Sequence, residues 1–311
     1  MKKVIKSIVS VILSVLICLS AFVTIATAII KFKISNIEHY VESVIDDKHI
    51  DALYEDIRYS VGTVCENLEV DRDTVMTFVN KEEIKSISQN NFRALFHSVL
   101  DGTPLSYKRF DNVAMKDEIY RELEAFANEV GIVEEDLNHA TDVTYEYIVD
   151  EINKSLIYFT QDDVNMVGFV SEVQILDFAI NDSFYVMLAV FIVLCILKVL
   201  LGRKQSLRTM YNVAFMSWLA SACWFFPVLI IKIVDVAAGI ILAHGGFKIY
   251  VQNLINVVID GFFYVSLFAF ILTTILVITM IVLVIIQIAR RTKTSLKTDD
   301  TDVTCESEQT A

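Results

Sequence analysis

The chain has 311 residues, 55% of them hydrophobic, with two prolines, nine glycines and a net charge of −13. A soluble domain runs nearer ~45–50% apolar, so a purely soluble globular protein is excluded, and the scarcity of proline and glycine disfavours β-sandwiches and loop-rich folds. The charge is divided: residues 33–183 hold 32 acids against 12 bases, net −20, and the rest holds 7 acids and 14 bases, net +7.

Residues 1–6 carry Lys2, Lys3 and Lys6 and read as a cytoplasmic N-terminus. Residues 7–30 contain no charge. About 20 apolar residues cross ~30 Å of hydrocarbon as a helix, so this is the first transmembrane segment. Ala26-Thr27-Ala28 matches a signal-peptidase site. The apolar run, however, exceeds the usual ~7–15 residues of a signal peptide and continues through Ile29 and Ile30, which predicts an uncleaved anchor. Ser7, Ser10, Ser14, Ile17, Ala21, Thr24 and Ala28 recur at steps of three and four. Small residues let helix backbones approach closely in lipid, so this stripe is expected to pack against other spans.

Residues 31–183 read as a helical domain outside the membrane. Ile34, Ile37, Val41 and Val44 carry an apolar face beyond the first span. Ile50, Leu53, Tyr54, Ile57, Val61, Val64 and Leu68 follow the i, i+3, i+4, i+7 template. Asn80-Lys81-Glu82-Glu83 resembles a capping box opening a helix, and Asp101-Gly102-Thr103-Pro104 closes it. Asp111 is placed to cap a third helix that ends at Gly131, and a fourth covers roughly 134–158.

The second span is 184–201, where Lys198 is expected to snorkel to the headgroups. A cytoplasmic loop over 202–210 leads to the third span, 211–235. An outer loop over 236–261 precedes the fourth span, 262–289, and 290–311 reads as a disordered tail. Basic residues cluster before the first span, between the second and third (Lys198, Arg203, Lys204, Arg208) and after the fourth (Arg290, Arg291, Lys293, Lys297). Four spans put all three clusters on one side. The positive-inside rule makes that side cytoplasmic, with both termini inside and residues 31–183 outside a bacterial cell membrane. The expected fold is therefore all-α, with four transmembrane helices and an acidic helical extracytoplasmic domain between the first and second.

Chemistry is sparse. Only one of five cysteines, Cys65, lies in the outer segment, and no Cys/His ligand spacing occurs. Glu135 and His139 stand one turn apart on one helix and form a candidate metal pair, beside Asp136 and Asp142; in an acidic domain the same pattern arises as a solvated face. Lys232 and Asp235 sit three apart near the end of the third span, and Pro227 lies within it. These three residues suggest gating, or a plain interfacial ion pair with a packing kink. Asn153-Lys154-Ser155 and Asn181-Asp182-Ser183 match glycosylation acceptors, a short pattern that carries little weight.

The Lys-rich start with its long anchor, the segment Ile37–Leu68 containing Tyr54-Glu55-Asp56-Ile57, the Val70–Val79 turn-and-helix and the three later spans together resemble a family of four-span membrane proteins of low-GC Gram-positive bacteria. That resemblance is one of pattern and implies no activity. The order of one span, an outer domain and three spans also resembles permease subunits of cell-division and MacB-type ABC systems, although the segment before the first span is very short and no amphipathic coupling helix precedes it. The function expected is that of a non-enzymatic envelope protein whose outer domain binds a protein or senses a condition. A permease-like or transporter subunit and a membrane-bound metal-dependent enzyme are the alternatives. The expected partners are the lipid bilayer and another envelope or membrane protein; no cofactor and no nucleic acid are expected.

Overall fold

The computed structural model describes residues 2–34, 37–101, 103–131, 133–166, 182–202 and 206–306. Helices account for nearly all of these, and no strand occurs among the described residues. In chain order they are α1 (Lys2–Ile29), ending in a π-turn over Ile30–Ile34, α2 (Ile37–Val44), α3 (Asp47–Leu68), α4 (Arg72–Met76) and α5 (Lys81–Asp101). Then come α6 (Val113–Val130), α7 (Glu134–Leu156), α8 (Gln161–Met166), α9 (Ser183–Leu201), α10 (Ser206–Val234) and α11 (Gly245–Glu306), with a 3₁₀ turn over Val236–Gly239 before the last.

Two compact units result: Met1–Lys33 with Ala179–Ile233 and Gly261–Ala311, and Ile34–Phe178 with Val234–Asp260. The first contains the apolar helices, α11 only from Gly261 onward. Four stretches are long and apolar enough to cross a membrane: Val4–Phe32, Ser183–Leu201, Leu207–Val234 and Gly245–Arg290. Their large side chains point outward, as at Ile12, Ile196, Phe268 and Ile285, a surface far larger than a water-soluble monomer tolerates. Within this unit α1 and α9 run antiparallel. Ser10 near the start of α1 meets Lys198 near the end of α9, and Phe32 meets the Phe184 ring at the other end, 5.2 Å between centroids.

The second unit packs α2 to α7 around one apolar core. Val41 and Val44 of α2, Leu53, Ile57 and Val61 of α3, Ile84 and Ile87 of α5, Met115 and Ile119 of α6, and Ile148 and Ile152 of α7 are all buried. Each such side chain contributes roughly 1.5–3 kcal/mol through its removal from water. Their spacing of three and four is what makes these segments helices with one buried face. The ends are capped locally: Asp46 accepts from His49 N–H, Asp71 from Thr74 N–H and Asn80 from Glu82 N–H, each at 2.8 Å. Gly131 closes α6 at φ 77°, a left-handed value that glycine adopts without strain.

Two buried asparagines pin the extended segment 103–112 between α5 and α7. Asn153 Oδ1 accepts from the Phe110 N–H at 2.7 Å, and its Nδ2 donates to the Phe110 and Val149 carbonyls. Asn91 Oδ1 accepts from Lys108 N–H at 2.8 Å. Asn153 is thus buried and fully engaged, which removes it as a glycosylation acceptor in the folded chain. Asn181 lies outside the described residues.

Several boundaries differ from the sequence expectation. Lys2–Lys6 belong to α1 rather than to a separate tail, and α10 starts at Ser206, so the 202–210 loop shrinks. Asn112, not Asp111, caps α6 by accepting from Met115 N–H at 3.3 Å; Asp111 instead accepts from the Tyr145 hydroxyl. The helical domain is not confined to 31–183, because Val234–Asp260 joins the second unit. The 236–261 loop is mostly helix, with Phe247, Tyr250, Val251, Leu254 and Val257 laid on the core at helical spacing. The tail expected to be disordered continues α11 to Glu306. No glycine or proline follows Gly261, so nothing in the backbone chemistry stops propagation.

Candidate functional site

In the second unit α3 carries His49, Leu53, Asp56 and Ser60 at steps of four, three and four, one stripe along the helix. The start of α11 meets this stripe. His244 O accepts from Lys248 N–H at 3.0 Å, which places His244 at the N-cap. The next two N–H groups have no partner within their own helix, and Asp56 takes both. Its Oδ1 accepts from Gly245 N–H at 3.3 Å and its Oδ2 from Gly246 N–H at 2.7 Å. A carboxylate there also complements the positive end of the helix dipole. A Cβ on Gly246 would lie 2.9 Å from Leu53 Cα and 3.1 Å from Leu53 Cβ, so the absence of a side chain is what lets the backbones close.

Beside this joint lies a nest of rings. The Tyr158 ring is 5.1 Å from Phe247 and 4.9 Å from Tyr250, and Phe92 and Phe159 also approach Tyr250. His49 Nε2 shares a 3.0 Å hydrogen bond with the Tyr158 hydroxyl. His49 is fully buried. Burial pushes its pKa down to about 4, with the Asp46 and Asp56 carboxylates only partly opposing, so the imidazole is neutral near pH 7. Burial likewise raises the Tyr158 phenol, and the Asp56 and Tyr250 charges add to the rise. His49 Nδ1 has no hydrogen-bond partner among the described residues.

A cleft of about 340 Å³ opens onto the joint, lined by Asp56, Ser60, Glu151, Lys154 and His244, with Tyr158 and Phe247 as its apolar wall. Two carboxylates, one ammonium, the His244 imidazole and the Tyr158 and Phe247 rings are thus brought together in it. Asp56 and Glu151 are already engaged, by the α11 N–H groups and by Lys154 at 3.3 Å.

The residues singled out from sequence lie elsewhere. Glu135 and His139 are both exposed on α7. Glu135 sits with Glu134 and Asp136 in its first turn, where acids stabilise a helix start. Asp142 pairs with Lys116 at 2.5 Å. No group of three or more His, Cys, Asp or Glu arranged to hold a metal ion occurs among the described residues. Pro227 lies inside α10, where it cannot donate to the carbonyl four residues back. Lys232 Nζ stands over the Phe263 and Tyr264 rings, 4.6 and 5.3 Å from their centroids. Asp235, at φ 50°, accepts from Ala238 N–H at 3.4 Å and caps the 3₁₀ turn.

The α1 stripe is buried at Ser14, Ile17 and Ala21, half-buried at Ser10, Thr24 and Ala28, and exposed at Ser7. Lys198 corrects one expectation. It does not snorkel outward: it is 3% exposed and turns onto α1, donating to the Ser10 carbonyl and, at 2.7 Å each, to the Ser10 and Ser14 hydroxyls. Three oxygens match the three N–H bonds of an ammonium, which is how a cation is solvated away from water. Sequence reasoning passed over His49, Asp56, Tyr158 and Tyr250, because each acquires its role from a partner far along the chain. No protein-family model, curated protein or solved structure matches the chain.

Proposed function

We propose that the chain is a non-enzymatic, multi-pass envelope protein whose helical unit, outside the membrane, binds a protein or senses a condition and passes the result along α11. The supporting observation is that Gly245–Asp260 of α11 belongs to the helical unit, while the same helix supplies the fourth apolar stretch and continues to Glu306. The two connections that fold together, Ile34–Phe178 and Val234–Asp260, are those that four spans leave on one side. The basic clusters flank the other side, which favours an outer position for the helical unit.

The test uses the full chain in nanodiscs, with native cysteines replaced and a spin label at Lys293→Cys. Asp56→Asn, which loosens the α11 start, should change the mobility of that label. An unchanged label despite a lowered melting temperature of the helical unit would contradict transmission along α11. Stoichiometric co-purification with an ATPase would instead assign a permease-like subunit.

A further inference from the structure

Lys198 is a buried cation with serine oxygens around it and no carboxylate. A cavity of about 590 Å³ opens beside it, between the start of α1, the end of α9 and the start of α10. Lys6, Lys198 and Arg208 supply three positive charges to its lining, Ser7 and Asn212 supply further hydrogen-bonding groups, and no acidic residue lines it. None of the three cations has an ion-pair partner among the described residues. Lys198 is a buried cation without an acid to balance it, which is unfavourable, and Lys6 and Arg208, exposed at the rim, add to a field that an anion relieves. Arg208 adds a planar fork whose geometry fits two oxygens of a phosphate.

An apolar groove of about 510 Å³ adjoins it, lined by Ile5, Val9 and Leu200 and sharing Lys6 and Leu201 with the basic cavity. A free phosphate has no use for that groove, whereas a lipid carries an acyl chain directly below its phosphate. We propose that this end of the bundle is a binding site for an anionic phospholipid, its phosphate oxygens held by Arg208, Lys6 and the field of Lys198, and its acyl chain lying along Ile5, Val9 and Leu200. Basic pockets between membrane helices beside positively charged flanks recognise lipid headgroups in this way.

The test is made on the full chain reconstituted in three kinds of nanodisc: phosphatidylcholine alone, phosphatidylcholine with a minority of phosphatidylglycerol, and phosphatidylcholine with inorganic phosphate in solution. Melting temperature and the lipid retained in native mass spectrometry are read together. Phosphatidylglycerol should raise the melting temperature and be retained, because its phosphate charge is not balanced by a choline. Arg208→Gln, at the exposed rim of the cavity, should lower retention about tenfold, the worth of a charge-assisted hydrogen bond, and Lys6→Gln should act in the same direction. Lys248→Gln, in the helical unit, should leave retention unchanged. Lys198→Met extends the series if it folds, but Arg208→Gln suffices without it. A rise with inorganic phosphate alone would overturn the lipid and leave a phosphate oxyanion from solution as the ligand. No response to either, or equal retention in Arg208→Gln and the parent, would overturn the site.

Discussion

Asp56 Oδ2 accepts a 2.7 Å hydrogen bond from the Gly246 N–H, across 190 residues of chain. Bonds to a charged group contribute about 1.5–3 kcal/mol, so Asp56→Ala should destabilise the helical unit by about 2 kcal/mol and Asp56→Asn by less. Gly246→Ala gains up to ~1 kcal/mol of helix propensity but drives a methyl into Leu53, where overpacking costs ~1–3 kcal/mol. The net effect should be destabilising. Denaturant titration of the full chain in detergent, with hydrogen exchange read over residues 245–260, separates the two variants. A Gly246→Ala chain as stable as the parent would show that the close approach to Leu53 is dispensable.

His49 makes stability depend on pH. Its folded pKa of about 4 lies below the ~6.5 of an exposed histidine. Between those values the unfolded chain binds the extra proton, so stability rises with pH. The contribution is fully present above pH ~6.5 and is lost as pH falls towards 4, by at most about 3 kcal/mol. His49→Phe keeps the ring packing and removes the proton site. Carboxylates also titrate near pH 4, so the informative quantity is the difference between parent and His49→Phe melting temperatures from pH 7 to pH 4.5. That difference should move in favour of the variant as pH drops; parallel curves would contradict a buried neutral His49.

The Ser10 and Ser14 stripe makes a prediction of a different kind. Replacing both with leucine removes the hydroxyl acceptors of Lys198 and thickens the face that lets α9 approach. Melting temperature and folded yield in detergent should both fall. Changing Ile12 and Leu16, which are exposed, to valine and isoleucine should do little. Equal behaviour of the two pairs would remove the packing role of the stripe.

Local periodicity made most of the helices legible. Ile50, Leu53, Ile57 and Val61 announce α3, and Gly131 announces the end of α6, because both signals are contained within a few residues. The 245–260 helix carried the same signal in Phe247, Tyr250, Val251, Leu254 and Val257. Sequence alone makes it a loop, because the only context visible there is two flanking spans. Its true partner is α3, nearly two hundred residues earlier, and no periodicity encodes that. Lys198 shows the same limit, since its acceptors lie 188 and 184 residues away. Asn91 and Asn153 were equally opaque: a buried asparagine and a surface one are identical in sequence, and only the strand of chain each clamps tells them apart.

Labelling on intact cells tests most directly whether Ile34–Phe178 and Val234–Asp260 share one side of the membrane. In a chain with its cysteines replaced by serine, Tyr59→Cys and Ile241→Cys sit at exposed positions, 79% and 91%, one in each segment of the helical unit. A membrane-impermeant maleimide should label both on intact cells and should label Thr310→Cys only after permeabilisation. Reaction of Tyr59→Cys and Ile241→Cys from opposite sides, or of Thr310→Cys together with them, would contradict the four-span arrangement and the single outer unit built on it.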